Sequence, residues 1–224
     1  MKPSTPFGKA RASSMLRAVN KGSARELSAD KYEFLAVLVV VWVAWIYFRT
    51  PIEDFGLGVT PDSVSYLSAA DSLVHGRGFT LFDGSPMVLW PPLYPALIGL
   101  LSLTLQPMTA AKLLNALCLA GTIVAGWSWA RRVFDRTTGV VTAIGLAFST
   151  IMVMSFMAWS EPLFIMLTLA GLSALDRYRV TGEGLTRAAI FIGLAALTRY
   201  LGVAVIAAGA VLVFFGPEGV ERRR

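Results

Sequence analysis

One cysteine and one histidine are all that 224 residues hold of these two types, and each scarcity closes a class of function. A lone Cys118 excludes an internal disulfide and a cysteine metal cluster. It lies in an apolar run and reads as a small buried hydrophobe. His75 has no second histidine or nearby cysteine, so a transition-metal site has no ligand set there. It reads as a solvated loop histidine. Charge is scarce as well: 15% of residues carry it, against roughly 25% in an average soluble domain. The short alternating segments of an outer-membrane barrel are missing, as are internal repeats and low-complexity stretches.

Apolar residues make up 55% of the chain, and the mean hydropathy is +0.63. Runs near the ~18–20 residues that span a bilayer recur along it. Backbone N–H and C=O groups in lipid must pair within their own segment, so these runs imply helices. The fold expected is all-α, a polytopic transmembrane bundle of about six or seven helices. The first spans about 31–48. Others lie near 88–105, 110–130, 138–157, 160–175, 187–199 and 203–215.

The net charge of +6 is gathered at the ends. Lys2, Lys9, Arg11, Arg17, Lys21, Arg25 and Lys31 crowd the start, and Arg222, Arg223 and Arg224 the finish. Basic clusters beside apolar helices stay in the cytoplasm. They are not interleaved with a series of aromatics, so no nucleic-acid partner is implied. Residues 1–30 read as a flexible basic cytoplasmic tail, 31–216 as the membrane module, and 217–224 as a basic cytoplasmic end. The run Phe34–Phe48 ends in Arg49-Thr50-Pro51 without a small-residue cleavage pattern, the signature of an uncleaved signal anchor with its N-terminus inside. That places the protein in the plasma (bacterial inner) membrane.

Helix counting meets one conflict. If every run crosses, the joints at 131–136 and 176–187 fall outside, yet both are basic and belong inside. The conflict disappears if 88–105, broken by Pro91, Pro92 and Pro95, does not cross fully. Fusing two neighbouring runs into one crossing is the other repair. The repaired order puts Ser160-Glu161 and Thr198-Arg199-Tyr200 on the same outer side as the loop after the first helix.

That loop, 49–86, is the one long polar interruption. Thr60-Pro61-Asp62 is a helix start: Thr60 caps, Pro61 suits the first position, and Asp62 meets the positive end of the dipole. Tyr66, Leu67, Ala70, Leu73 and Val74 then form an apolar stripe, with Ser65, Ser68, Asp71, Ser72 and His75 mainly opposite. Gly76 and Gly78 end the helix. Such a helix is expected to lie flat on the membrane surface.

Asp62 could act as a general base or help hold a divalent metal ion; it could equally serve only the dipole. Glu161, within an apolar stretch, is costly at membrane depth and so a functional candidate; it could equally sit in a helix first turn capped by Ser160. Arg199 could bind a lipid phosphate through two parallel hydrogen bonds or snorkel to headgroups. Arg77 offers a further phosphate-binding cation or is an ordinary loop charge. Besides an enzyme, the composition admits half of a transporter or a non-catalytic, truncated membrane protein.

The motifs in order resemble a known class. Asp62, Tyr66, Ala70, Leu73, Gly76, Gly78 and Phe79 are followed by Pro91, Pro92, Leu93 and Pro95, then by Ser160-Glu161-Pro162-Leu163-Phe164 and Leu197-Thr198-Arg199-Tyr200. This is similar to the GT-C glycosyltransferases that use polyprenyl-phosphate sugars, in the neighbourhood of protein O-mannosyltransferases and lipid A aminoarabinose transferases. The resemblance implies that Asp62 deprotonates an acceptor hydroxyl, with Glu161 also catalytic. Tyr66, Arg77 and Arg199 would bind substrate. The donor would be a polyprenyl-phosphate sugar, and the acceptor a glycan, lipid or protein reached at the outer leaflet. It also implies an N-terminal half of a longer transferase.

Overall fold

Helix α1 (Pro6–Phe55) opens the chain. The computed structural model describes the backbone of residues 6–214 and the side chains of residues 30–214. The basic clusters at 1–29 and 222–224 therefore lie outside the described side chains, although the backbone from residue 6 is helical and continuous with α1. The segment Asp30–Phe55 is long and apolar enough to cross a membrane. Val37, Ala44, Phe48 and Ile52 face inward, while Leu38, Val39, Trp42, Trp45 and Ile46 are exposed. An outward apolar face of this size suits lipid, not water.

The sequence points to a stop at Phe48, but the helix carries on. Arg49 Nε reaches Glu53 at 2.6 Å one turn later, and the Thr50 hydroxyl donates to the Ile46 carbonyl at 2.9 Å. These local bonds carry the chain past Pro51. Gly56, at φ 79°, ends the helix where a side chain would be strained.

Helix α2 (Pro61–Val74) starts as the sequence suggests: Thr60 Oγ1 accepts from the Ser63 amide at 3.4 Å. Its inner face differs from the expected stripe. Ser63, Ser65, Tyr66, Ala69, Ala70 and Ser72 are buried, and Val64 is exposed. Small side chains let α2 press onto helix α3 (Leu93–Ser102). A Cβ on Gly99 would come within 3.2 Å of the Ala70 carbonyl. Tyr66 and Ala70 of the expected stripe are buried and Leu67 packs against the core, but the buried face is shifted toward the serine–alanine side, where α2 meets protein, and Val74 is left exposed.

Helix α3 is about 15 Å long at 1.5 Å per residue, too short to cross. It runs beside the first turns of α4 (Pro107–Val133), the second helix that is long and apolar enough to span a membrane. The expected run at 138–157 is two helices, α5 (Arg136–Ala147) and α6 (Thr150–Ser155), broken where Ser149 caps α6. Helices α7 (Glu161–Thr181), α8 (Leu185–Ala196) and α9 (Gly202–Phe214) complete the order. Among the described residues there is no strand longer than an isolated bridge, so the chain is an all-α bundle. Cys118 is buried within it.

The two ends of the bundle are chemically distinct. At one, Arg131 bonds Asp30 at 2.5 Å and Glu33 at 3.1 Å, and Arg136 bonds Asp30 at 2.9 Å. Trp129 Nε1 donates to Asp176 at 3.2 Å. Both basic joints, 131–136 and 176–187, therefore stand together near the start of the α1 span. At the other end lie α2, α3 and the approaches to α7 and α9. With α3 too short to cross, the conflict in helix counting is removed.

Candidate functional site

The end opposite the arginines is stitched together by backbone. Gly58 N donates to the Phe156 carbonyl at 2.7 Å, and Ala158 N donates to the Gly58 carbonyl at 3.0 Å. Leu93 N donates to the Leu197 carbonyl at 2.9 Å. The loop after α1 is thus fastened to the α6–α7 joint at one end and to the α8–α9 joint at the other. Trp159 Nε1 adds a bond to the Thr60 hydroxyl at 2.8 Å, tying the start of α2 to the residue before Ser160.

Asn115 of α4 holds this arrangement from below. It is fully buried. Its amide nitrogen donates to the Ser155 and Met157 carbonyls at 3.1 and 2.6 Å. Its oxygen accepts from the Tyr94 hydroxyl at 3.0 Å. A side-chain amide in the core satisfies carbonyls that the end of α6 leaves without helical partners. Nothing in the local sequence pattern singled out Asn115; the only signal is a polar residue inside the apolar run 110–130.

Tyr66 stands edge-on to Tyr94 and Trp90, with ring centroids 5.1 and 6.2 Å away. Its hydroxyl lies 3.0 Å from Ser160 Oγ. Burial holds the Tyr66 phenol above its ordinary range; the Ser160 hydrogen bond and the Arg199 charge pull it down, and Glu161 and Asp62 push it up. The phenol is therefore a neutral donor or acceptor at physiological pH.

Ser160 occupies the position before α7 but makes no capping bond. Its hydroxyl is turned toward Tyr66 and toward Arg199 Nη1 at 3.3 Å. The expectation of a Ser160 cap is corrected here: a backbone at φ −79°, ψ −11° is already helical, and a helical residue cannot fold its own oxygen onto the next turn. Glu161 does sit in the first turn, ahead of Pro162. Its carboxylate takes Arg199 Nη1 at 2.6 Å, with the two side chains 24% and 35% exposed. Both charges are paired yet still reachable.

Of the five residues singled out in the sequence, Tyr66, Glu161 and Arg199 are brought together around the Ser160 hydroxyl and its neighbour. Asp62 is exposed at the head of α2. Arg77 is apart from them. It bonds Asp71 at 2.9 Å, as His75 does at 3.4 Å, and Asp71 lies about 14 Å beyond Asp62 along the helix at 1.5 Å per residue. Arg77 and Asp71 line a separate groove of about 540 Å³ with Ser68, Thr80 and Phe82. The described residues include no group of three or more His, Cys, Asp or Glu side chains able to hold a metal. The Glu161 carboxylate is paired with Arg199.

The family described as dolichyl-phosphate-mannose-protein mannosyltransferase matches residues 90–223, more than half of the chain. The match takes in Asn115, Ser160, Glu161 and Arg199; Asp62 and Tyr66 lie before it. Neither a curated protein nor a solved structure gives a match.

Proposed function

We infer that this chain, which belongs to the dolichyl-phosphate-mannose-protein mannosyltransferase family, is a membrane glycosyltransferase module of the GT-C type. It moves a sugar from a polyprenyl-phosphate donor to an acceptor hydroxyl on the extracytoplasmic side. The basic end, with Arg131, Arg132, Arg136, Arg177 and Arg187, faces the cytoplasm by the positive-inside rule. The Tyr66–Ser160–Arg199 end then faces outward in the plasma membrane.

The observation that carries this reading is a partly exposed guanidinium, Arg199, linked through the Ser160 hydroxyl to Tyr66 of α2, the helix whose first turn bears the exposed carboxylate Asp62. In the reaction Asp62 takes the acceptor proton. The acceptor oxygen forms a bond to the anomeric carbon from the face opposite the phosphate. The bond from that carbon to the phosphate oxygen breaks, the electron pair leaves with the phosphate, and configuration inverts. Charge grows on the departing phosphate, so a fixed cation lowers the barrier. Glu161 keeps Arg199 oriented; two of its donors go to Glu161 and Ser160, leaving others of its five for phosphate. Arg77 and its groove lie toward the far end of α2, where an acceptor could rest.

The experiment supplies labelled polyprenyl-phosphate mannose to membranes that carry the protein. Asp62→Asn abolishes transfer, whereas Asp54→Asn, on the last turn of α1, does not. Equal transfer by wild type and Asp62→Asn would remove the base from this scheme.

A further inference from the structure

At the basic end, a cavity of about 330 Å³ opens between α4, α7 and α8. Each helix contributes one arginine to its wall: Arg132, Arg177 and Arg187. Among the described residues, the one carboxylate on the wall is Glu183, whose Oε2 is 3.5 Å from Arg177 Nη2. Arg132 is aimed by Ser173, whose carbonyl and hydroxyl both accept from Nη2. Gly184, at φ 105°, also lines the cavity and begins α8 without a capping side chain. The first N–H groups of α8 therefore have no intrahelical partner. Deeper in, Ala125, Ala170 and Phe191 continue the wall as apolar surface.

Three guanidinium groups around one void repel each other, and one loosely held carboxylate does not balance them. Arginines that only fix topology need to stand at the correct end of the bundle; they do not need to converge from three helices. Planar forks matched to tetrahedral oxygens, with free backbone N–H groups beside them, are the chemistry of phosphate recognition. The apolar floor suits the glycerol backbone and acyl chains that a lipid phosphate carries.

We propose that this cavity binds a phosphate group, presented by the headgroup of an anionic phospholipid in the adjacent leaflet. The site is separate from the Tyr66–Arg199 end and does not depend on sugar transfer. Because it holds α4, α7 and α8 at their charged ends, occupancy stabilises the bundle.

The test uses the full chain purified in detergent, with dioctanoyl phosphatidic acid, dioctanoyl phosphatidylcholine and inorganic phosphate as probes. Binding is followed by native mass spectrometry and by thermal unfolding. Phosphatidic acid binds and raises the melting temperature, and phosphatidylcholine does so weakly. Arg187→Gln loses about tenfold in affinity, the expected loss of one charge-assisted hydrogen-bonded contact. Arg187→Lys, which keeps the charge without the fork, falls between, and Arg49→Gln on α1 binds like wild type. Circular dichroism of Arg187→Gln shows that it is folded; should it not be, Arg177→Gln gives the same readout. Phosphatidic acid binding undiminished in both variants would overturn the site, as would an equal loss in Arg49→Gln. Inorganic phosphate as effective as phosphatidic acid would overturn the lipid source and leave a soluble phosphate as the ligand.

Discussion

Tyr66 of α2 and Ser160 at the head of α7 share a hydrogen bond of 3.0 Å although 94 positions separate them in the chain. This bond couples the loop helix to the Glu161–Arg199 pair. Tyr66→Phe keeps the ring among Trp90 and Tyr94 and removes only the bond, at a cost of about 1 kcal/mol. We expect a small fall in melting temperature and a larger fall in transfer, since Ser160 is then free to turn wholly toward Arg199. The raised phenol also bears on alkaline stability. A raised pKa means the folded state holds the proton more tightly, so this contribution is present below 10.0, the ordinary value, and fades as pH climbs above it. Stability of Tyr66→Phe is flatter in that alkaline window, as a pH series of unfolding curves would reveal.

The Glu161–Arg199 pair is partly buried, so its loss falls between the negligible cost of an exposed pair and the several kcal/mol of a fully buried one. Glu161→Gln is expected to destabilise by about 1–2 kcal/mol. Arg199→Lys keeps a charge but not the fork that meets Glu161 and Ser160 together. In a transfer assay with varied donor, Arg199→Lys lowers kcat more than it raises KM, because the cation is needed most as charge reaches the phosphate.

Asn115 ties Tyr94 to the carbonyls of Ser155 and Met157. Asn115→Leu strands the Tyr94 hydroxyl and the Ser155 carbonyl in the core, while the Met157 carbonyl keeps the Trp159 amide at 2.8 Å. A loss of about 2–4 kcal/mol is expected, and the melting curve of the purified protein measures it. Because Met157 lies in the stitch with Gly58, the variant also loosens the start of α2. Faster proteolysis between residues 56 and 61 would register that loosening.

Glu33, 7% exposed, is held by Trp127 Nε1 at 2.8 Å and by Arg131. Arg131→Ala removes the nearer of two cations from a buried carboxylate, leaving Arg136 Nε at 4.0 Å, and is expected to cost up to about 3 kcal/mol. The double variant Glu33→Leu/Arg131→Leu recovers much of that loss, as thermal unfolding of the two proteins side by side would establish.

Helix formation and the all-α architecture were legible in the sequence because long apolar runs leave the backbone no other way to satisfy itself. The same holds for the start of α2, where Thr60, Pro61 and Asp62 each act within one turn. The features the sequence hid depend on partners far along the chain. The burial of Ser63, Ser65 and Ser72 results from the close approach of α3, which no period in α2 encodes. The diversion of Ser160 from capping to Tyr66 and Arg199 requires three segments to meet. Asn115 and the Glu33–Arg131 pair went unnoticed for the same reason: a polar residue in an apolar run signals only that a partner exists, not which one. Of the candidate site, Tyr66, Glu161 and Arg199 meet around Ser160, Asp62 stands exposed at the head of α2, and Arg77 stands elsewhere, held by Asp71 a short step along the sequence.

The backbone bonds of Gly58 to the α6–α7 joint and of Leu93 to Leu197 have a consequence for how such a module diversifies. Between those two anchors, the turn from Leu81 to Ser85 is exposed or half-buried and can change without disturbing either attachment, whereas Met87 is buried and the Val88 carbonyl accepts from the Tyr200 hydroxyl. New acceptor preferences could be grafted onto residues 81–85 like an interchangeable cuff, while the frame that holds Asp62 and Arg199 stays as it is.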